Sequence, residues 1–307
     1  LMGVRVTGWG GHLPEKVITN DDLAEYMDTT HEWIVERTGI HERRVGEPTS
    51  TMAIAAGAKA LQSANVDPDD IDLVILATTS TDQVMPSTAA TVQAELGLRC
   101  GAVDLNAACS GFVYALAHAA GMIALGYQRV LVIGADSLWT WTDQTDRGTA
   151  ILFADGGGAV VLEASDDDCL LGFDLGCDGS TRHLLYTDHG ATSEMEGREI
   201  FRQAVRAMVS SSQAALHHAG LTGEQVDWVV PHQANIRIIE SAVQRLGIPL
   251  ERTINVLHRT GNTSAASIPL ALVEGVESGM IEPGHVLLLT GFGAGMTWAS
   301  AVLRWQP

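Results

Sequence analysis

Lysine is nearly absent from this sequence, and aromatic residues make up only 5% of it. Lys16 and Lys59 are the only lysines among 18 basic residues, and 37 acidic residues give a formal net charge of −19. This charge opposes binding to phosphate backbones and anionic membranes, so we expect no nucleic-acid and no membrane partner. The sequence also has no apolar run of about 18 residues and no signal-peptide pattern. These absences favour a cytoplasmic protein.

Cysteine is scarce as well. The four cysteines show neither CxxC spacing nor the density of a secreted disulfide framework, so we expect reduced thiols and no metal site. They are Cys100, Cys109, Cys169 and Cys177. The 307 residues, 46% of them apolar, suffice for one large domain or two of ordinary size.

Short runs of valine, isoleucine and leucine alternate with helical patterns, which is typical of buried strands in an α/β protein. A shift of 155 residues aligns residues 65–80 with 220–235, and helices and strands follow in the same order in both copies. The alignment predicts two duplicated halves, residues 1–165 and 170–307. Sites in such proteins tend to lie where the halves meet.

Cys109 opens a long apolar stretch, "NAACSGFVYAL", at residues 106–116. The duplication maps Cys109 onto Ser264 and predicts two facing helix starts. Partial positive charge at a helix start favours thiolate, so a lowered pKa would prepare Cys109 as a nucleophile. The alternative is a cysteine used as a small buried hydrophobic residue.

Two polar motifs follow in the second half. "WVVPHQAN" places His232 and Asn235 where a buried strand ends, a position that usually faces a ligand crevice. "GNTSAAS" places Asn262 just ahead of an apolar helix, where an asparagine can instead cap the helix.

A glycine-rich turn at residues 291–295 lies between two strand-like runs near the end of the sequence. No helix follows it, as a nucleotide-binding fingerprint requires, so an NAD-type oxidoreductase lacks support. Backbone N–H groups of such a turn can instead stabilise an oxyanion.

Taken together, "NAACSGF", "PHQANIRI", "GNTSAAS" and "GFGAGMTW", in this order and at this spacing, resemble β-ketoacyl-acyl carrier protein synthase III of the thiolase superfamily. The resemblance covers essentially the whole chain. It implies an α/β, thiolase-like five-layered αβαβα fold built from two duplicated halves, and a homodimer.

The resemblance also implies an activity, a decarboxylative Claisen condensation of an acyl-coenzyme A (acyl-CoA) primer with malonyl-acyl carrier protein. This reaction initiates fatty acid or related polyketide synthesis and requires no cofactor besides the two thioester substrates. The alternative is a non-condensing acyltransferase that moves an acyl group from Cys109 to an alcohol or amine. A biosynthetic thiolase would carry a second cysteine near the last glycine turn, and none follows Cys177.

The resemblance assigns roles residue by residue. It implies a catalytic triad of Cys109, His232 and Asn262, and an oxyanion hole made by the backbone N–H groups of Cys109 and Ala294. Met85 corresponds to a position that closes the acyl pocket of the partner subunit, and a flexible methionine there predicts primers longer than acetyl. Two larger sets follow from the same matching. The implied coenzyme A and tunnel contacts are Thr29, Trp33, Arg37, Arg147, Phe201, Asn235 and Phe292, and the implied carrier-protein docking patch is Arg202, Arg237 and Arg245.

Overall fold

The computed structural model describes residues 3–307, which form nine α-helices and thirteen β-strands. The helices are α1 Asn20–Ala24, α2 His31–Thr38, α3 Thr49–Ala64, α4 Thr88–Glu95, α5 Gly111–Ala124, α6 Gly197–Ala219, α7 Ile236–Leu246, α8 Leu257–Thr260 and α9 Ser267–Glu277. The strands are β1 Gly3–His12, β2 Val17–Thr19, β3 Glu42–Arg44, β4 Leu73–Ala77, β5 Gly101–Leu105, β6 Arg129–Ser137, β7 Asp155–Ser165, β8 Leu170–Cys177, β9 Leu185–Tyr186, β10 Glu194–Met195, β11 Trp228–Pro231, β12 Val286–Gly293 and β13 Thr297–Arg304.

Helices and sheets stack in five layers. The first sheet has the strand order β1-β7-β6-β4-β5 and the second has the order β11-β12-β13-β8. Helices α3 and α4 cover the outer face of the first sheet, α5 and α9 lie between the sheets, and α6 and α7 cover the second. The predicted α/β class is confirmed.

Helix α5 packs against both sheets and is apolar apart from Tyr114 and the exposed His118. Phe112, Val113 and Leu116 are almost completely buried, in one cluster with residues of β6 and β12. A helix that is apolar all round is expected in a central layer rather than on a surface. The 3₁₀ turn Ala108–Ser110 immediately precedes this helix. The buried layer thereby carries Cys109 to the middle of the molecule.

The two copies of the repeat do not keep one offset. Leu73 pairs with Val130 in the first sheet, and Trp228 pairs with Leu287 in the second. The first members of these pairs are 155 residues apart and the second members are 157 apart, so the second copy is two residues longer between its paired strands. The ungapped alignment predicted from sequence is therefore wrong beyond the first of these strands.

This insertion also changes which residue of the second copy corresponds to Cys109. In the turn before α5, Ala108 has a left-handed φ of +48°, and Ser264 has φ +51° in the turn before α9. If these two residues are equivalent, the residue that corresponds to Cys109 in the second copy is Ala265 and not, as the ungapped alignment predicted, Ser264. The two turns do face each other, as predicted, and Gly134 is required beside them because a Cβ there would overlap the carbonyl oxygen of Ala265.

Within residues 3–307, no helix combines the length and the apolar character needed to cross a bilayer. The longest helix, α6, has 23 residues but carries charged side chains on its exposed face.

Candidate active site

Cys109 lies at the junction of the two halves. The residue is 8% exposed, and the facing turn before α9 closes over it. The sequence predicted a lowered pKa, but burial raises the pKa of the Cys109 thiol to about 12. A hydrogen bond from Ser264 opposes this rise, and the nearby Asp136 carboxylate adds a smaller contribution in the raising direction. The physical reason is that desolvation disfavours the thiolate more than the helix start favours it. At neutral pH the Cys109 thiol is therefore uncharged.

His232 follows β11 directly, and its position is fixed from three sides. Its backbone N–H donates to the Thr290 carbonyl over 2.8 Å, and its ring packs edge-on against Phe292 with 5.4 Å between the ring centres. Its Nδ1 is 2.6 Å from the Ser267 hydroxyl. Burial lowers the pKa of His232 to about 3, so the imidazole is neutral.

Asn262 is held by both its backbone and its side chain. The Asn262 N–H donates to the carbonyl of Leu152, and its carbonyl accepts the N–H of Ala154, which joins the two halves of the chain. The side-chain oxygen of Asn262 accepts the N–H of Ser264 over 3.0 Å. The Asn262 amide nitrogen is therefore the atom left to donate to a bound molecule.

The glycine-rich turn between β12 and β13 packs on the backbone of the nucleophile. A Cβ at Gly293 would overlap the backbone nitrogen of Cys109, so only glycine allows this approach. The Thr297 hydroxyl lies 2.9 Å from the Ala107 carbonyl and 3.2 Å from the Ala294 carbonyl. One side chain thus links the turn of Cys109 to the turn of Ala294.

Two cavities meet at Cys109. The first, which we call the Trp33 cavity, has a volume of about 670 Å³ and contains the complete predicted triad. Eight further predicted or neighbouring positions line it: Trp33, Arg37, Arg147, Phe201, Arg202, Asn235, Arg237 and Phe292. The second, which we call the Trp141 cavity, has a volume of about 680 Å³ and is lined by Trp141, Leu138, Phe153, Leu185, Val84 and Ala294 among others.

A positively charged clamp forms the outer part of the Trp33 cavity. The guanidinium carbons of Arg37 and Arg147 lie 5.2 Å and 4.7 Å from the centre of the Trp33 ring. Arg147 also donates to the Asp28 carbonyl over 2.6 Å, which fixes its direction. Cations beside an aromatic face suit an adenine ring and phosphates.

Three predicted positions lie elsewhere. Thr29 precedes α2 and is not among the residues lining either cavity. Arg245 is in the last turn of α7, whereas Arg202 and Arg237 face the Trp33 cavity. Met85 is 83% exposed and does not line the Trp141 cavity of its own chain. These placements leave the roles implied for the three residues as predictions.

Sequence reasoning did not single out Asp136, which is fully buried at the end of β6. One of its oxygens accepts hydrogen bonds from Thr78, Thr79 and Ser80, and the other accepts the N–H of Ala265 in the second half. The sequence feature that could have identified Asp136 is an acidic residue near the end of an apolar strand. Ser267 and Thr297 gave no comparable signal, because a lone hydroxyl has no distinctive sequence context.

Models of known protein families match both halves of the chain. A family model described as 3-oxoacyl-[acyl-carrier-protein] synthase III matches residues 103–179, and one described as the C terminal part of that enzyme matches residues 216–305. The β-ketoacyl-[acyl-carrier-protein] synthase III of Roseiflexus sp. strain RS-1 is 50% identical over 321 residues, which cover 98% of each chain.

Solved structures agree. The 3-oxoacyl-[acyl-carrier-protein] synthase III of Aquifex aeolicus VF5 superimposes with a TM-score of 0.97 at 44% identity, covering 99% of this chain and 100% of the other. The priming β-ketosynthase of the R1128 polyketide pathway gives a TM-score of 0.95 at 37% identity, covering 99% of this chain and 96% of the other.

The fold and the site therefore define a condensing acyltransferase with the thiolase-like five-layered αβαβα fold, as predicted. The chain belongs to the β-ketoacyl-[acyl-carrier-protein] synthase III family. The family resemblance inferred from the four motifs and the predicted function in acyl condensation are confirmed.

Proposed function

We propose that this enzyme transfers an acyl group from acyl-CoA to Cys109 and condenses it with malonyl-acyl carrier protein. The observation that supports this most is the single cavity that contains Cys109, His232 and Asn262 beneath the cationic clamp at Trp33. A nucleophile with two N–H donors beside it suits a reaction that forms a covalent thioester and then an enolate.

In the first half-reaction, Cys109 Sγ attacks the primer thioester carbonyl. A new carbon–sulfur bond forms, the bond to coenzyme A breaks, and the thiol proton of Cys109 ends on the coenzyme A sulfur. Backbone N–H groups of Cys109 and Ala294 hold the transient oxyanion. The acyl chain then extends into the Trp141 cavity, whose apolar part is formed by Leu138, Trp141 and Phe153.

In the second half-reaction, the malonyl group loses carbon dioxide, and the electron pair of the broken carbon–carbon bond passes into an enolate. His232 and Asn262 donate hydrogen bonds to the enolate oxygen. The enolate carbon attacks acyl-Cys109, the β-ketoacyl product leaves on the carrier protein, and the thiolate regains a proton from solvent. Each such donor typically contributes about 3 to 4 kcal/mol to transition-state stabilisation.

The substrates are recognised by charge at the mouth of the Trp33 cavity. Trp33, Arg37 and Arg147 would bind the nucleotide of coenzyme A. Arg202 and Arg237, with Arg245 further along α7, would attract an acidic carrier protein despite the net charge of −19. We propose that the two thioesters suffice and that no separate cofactor participates.

A homodimer would complete the site. Strand β5 is an edge strand of the first sheet, and Val103 on it is 46% exposed. Val84 and Met85 are 91% and 83% exposed in the single chain. Exposed apolar side chains beside an open sheet edge favour pairing with a second copy, in which Met85 would close the partner's Trp141 cavity. The four unpaired cysteines fit a reducing cytoplasm.

The test is the intact mass of the protein after incubation with a panel of acyl-CoA thioesters, before and after malonyl-acyl carrier protein is added. We expect an acyl adduct on the wild type, none on Cys109→Ala, and loss of the adduct as β-ketoacyl product forms. An adduct that persists would support the alternative acyltransferase, and no adduct would refute the proposal.

A further inference from the structure

The Ser267 hydroxyl has one hydrogen-bond partner among residues 3–307, and that partner is Nδ1 of His232. The two atoms are 2.6 Å apart, and both side chains are 1% exposed. Ser267 begins α9, in the layer that separates the two sheets. No water or substrate is needed to complete this contact.

We propose that Ser267 is a positioning residue that donates its hydroxyl proton to His232 Nδ1 and so fixes His232 in the tautomer that carries its proton on Nε2. This inference rests on the proposed function, because its consequence is that His232 presents a donor to the enolate oxygen.

Hydrogen-bond satisfaction decides between the two tautomers. If Nδ1 carried the proton, it would donate to Ser267, and the Ser267 hydroxyl proton would be buried without an acceptor. If Ser267 donates instead, only a lone pair of its oxygen lacks a partner. A buried donor without an acceptor is the rarer and more costly arrangement.

The Nε2 atom has no protein partner among residues 3–307, and His232 lines the Trp33 cavity. A proton on Nε2 is therefore available to substrate. The imidazole is neutral in its buried site, so it carries one ring proton only. Asn262 also presents a donor to the cavity, because its side-chain oxygen accepts the N–H of Ser264 and its amide nitrogen remains available.

The proposal separates the two half-reactions. A His232 that already carries its proton on Nε2 cannot accept the thiol proton of Cys109, so the acyl transfer should not depend on Ser267. The decarboxylation needs the Nε2 proton and should depend on it.

The direct test is ¹⁵N NMR of the whole enzyme labelled at histidine, with the His232 signals assigned from their loss in His232→Gln. We expect a protonated Nε2 and a bare Nδ1 in the wild type. A proton on Nδ1 would overturn the proposal. Because the spectrum needs no substrate, it reports the tautomer of His232 even if no acyl adduct forms and the proposed function fails.

Kinetics provide the second test, with acylation of Cys109 and carbon dioxide release from malonyl-acyl carrier protein measured separately. We expect Ser267→Ala to slow carbon dioxide release at least threefold relative to acylation, and Ser267→Thr, which keeps the hydroxyl, to restore the ratio. Ser300→Ala is the matched control, because Ser300 is a buried serine whose hydroxyl bonds to Thr290 and not to His232. An unchanged ratio in a folded Ser267→Ala enzyme would overturn the proposal.

Discussion

The guanidinium carbon of Arg147 lies 4.7 Å from the centre of the Trp33 ring, at the mouth of the cavity that leads to Cys109. We expect Trp33→Ala to raise the KM for acetyl-CoA about tenfold while kcat changes less than about twofold, since a cation–aromatic contact is worth about 0.5 to 2 kcal/mol. Steady-state kinetics check this.

The matched substrate for this experiment is acetyl-pantetheine, which lacks the adenine and its ribose phosphate. If Trp33 recognises the nucleotide, the variant and the wild type should use acetyl-pantetheine equally well. An equal loss with both thioesters would show that Trp33 supports the fold of α2 rather than the nucleotide.

Asn262 provides the second prediction, because its oxygen is occupied by the N–H of Ser264 and only its nitrogen can serve the enolate. We expect Asn262→Asp, which replaces that donor by an acceptor, to lower carbon dioxide release about 10²- to 10³-fold and to leave acylation of Cys109 largely intact. Single-turnover assays of the pre-acylated enzyme measure the first rate. Release at the wild-type rate would remove Asn262 from the mechanism.

Thr297 links the turns of Cys109 and Ala294, because its hydroxyl accepts a hydrogen bond from Ser110 and its single proton lies within reach of the Ala107 and Ala294 carbonyls. Thr297→Val keeps the shape of the side chain and removes these contacts. Because the proposed oxyanion hole lies between the two turns and would serve both half-reactions, we expect both rates to fall about tenfold or more, with KM for the primer unchanged. Thr297→Ser should recover most of the rate, and a valine variant with wild-type rates would contradict the assignment.

The predicted facing helix starts are present in the turns before α5 and α9, because the long and nearly uncharged stretch after Cys109 is buried between the two sheets. The structure brings Cys109, His232 and Asn262, which the motifs singled out, to one cavity, and their catalytic roles stay predictions. The sequence did not predict the register of the second copy, because a two-residue insertion between two strands leaves the hydrophobic pattern of each strand unchanged. The role of Met85 at the partner's acyl pocket came only from the family resemblance and stays a prediction.

Chemistry that depends on burial was the harder part. The helix start before α5 predicted a lowered pKa for Cys109, and the opposite direction results from desolvation between two sheets. Asp136, Ser267 and Thr297 act through hydrogen bonds between residues far apart in the chain. No local pattern records such contacts, so a structure is needed to find them.

The raised pKa of Cys109 makes its own prediction. With a pKa of about 12, the thiolate fraction should grow about tenfold per pH unit, so alkylation of Cys109 by iodoacetamide should rise from pH 7 to pH 10 without a plateau. Mass spectrometry of the Cys109 peptide measures the rate and separates it from the exposed Cys177. A plateau below pH 9 would show that the helix start dominates after all.

The raised pKa of Cys109 also makes the stability of the folded protein depend on pH. Folding disfavours the Cys109 thiolate, so the contribution of the neutral thiol is fully present below the unfolded pKa of about 9 and is lost as the pH rises toward 12. Cys109→Ala should therefore lose less stability than the wild type between pH 9 and pH 11 in urea titrations. Parallel curves for the two proteins would contradict this.

Met85 carries the last prediction, since it is 83% exposed yet does not line the Trp141 cavity of its own chain. If it closes the partner's cavity, its flexible side chain should admit primers longer than acetyl, and butyryl-CoA should acylate Cys109 efficiently. Met85→Phe should slow butyryl transfer about tenfold and leave acetyl transfer nearly unchanged. Leu125→Phe, at another exposed apolar position, is the matched control. Wild-type acylation confined to acetyl-CoA would contradict the prediction, because it would mean that the end of the acyl pocket is rigid and not formed by the flexible side chain of Met85.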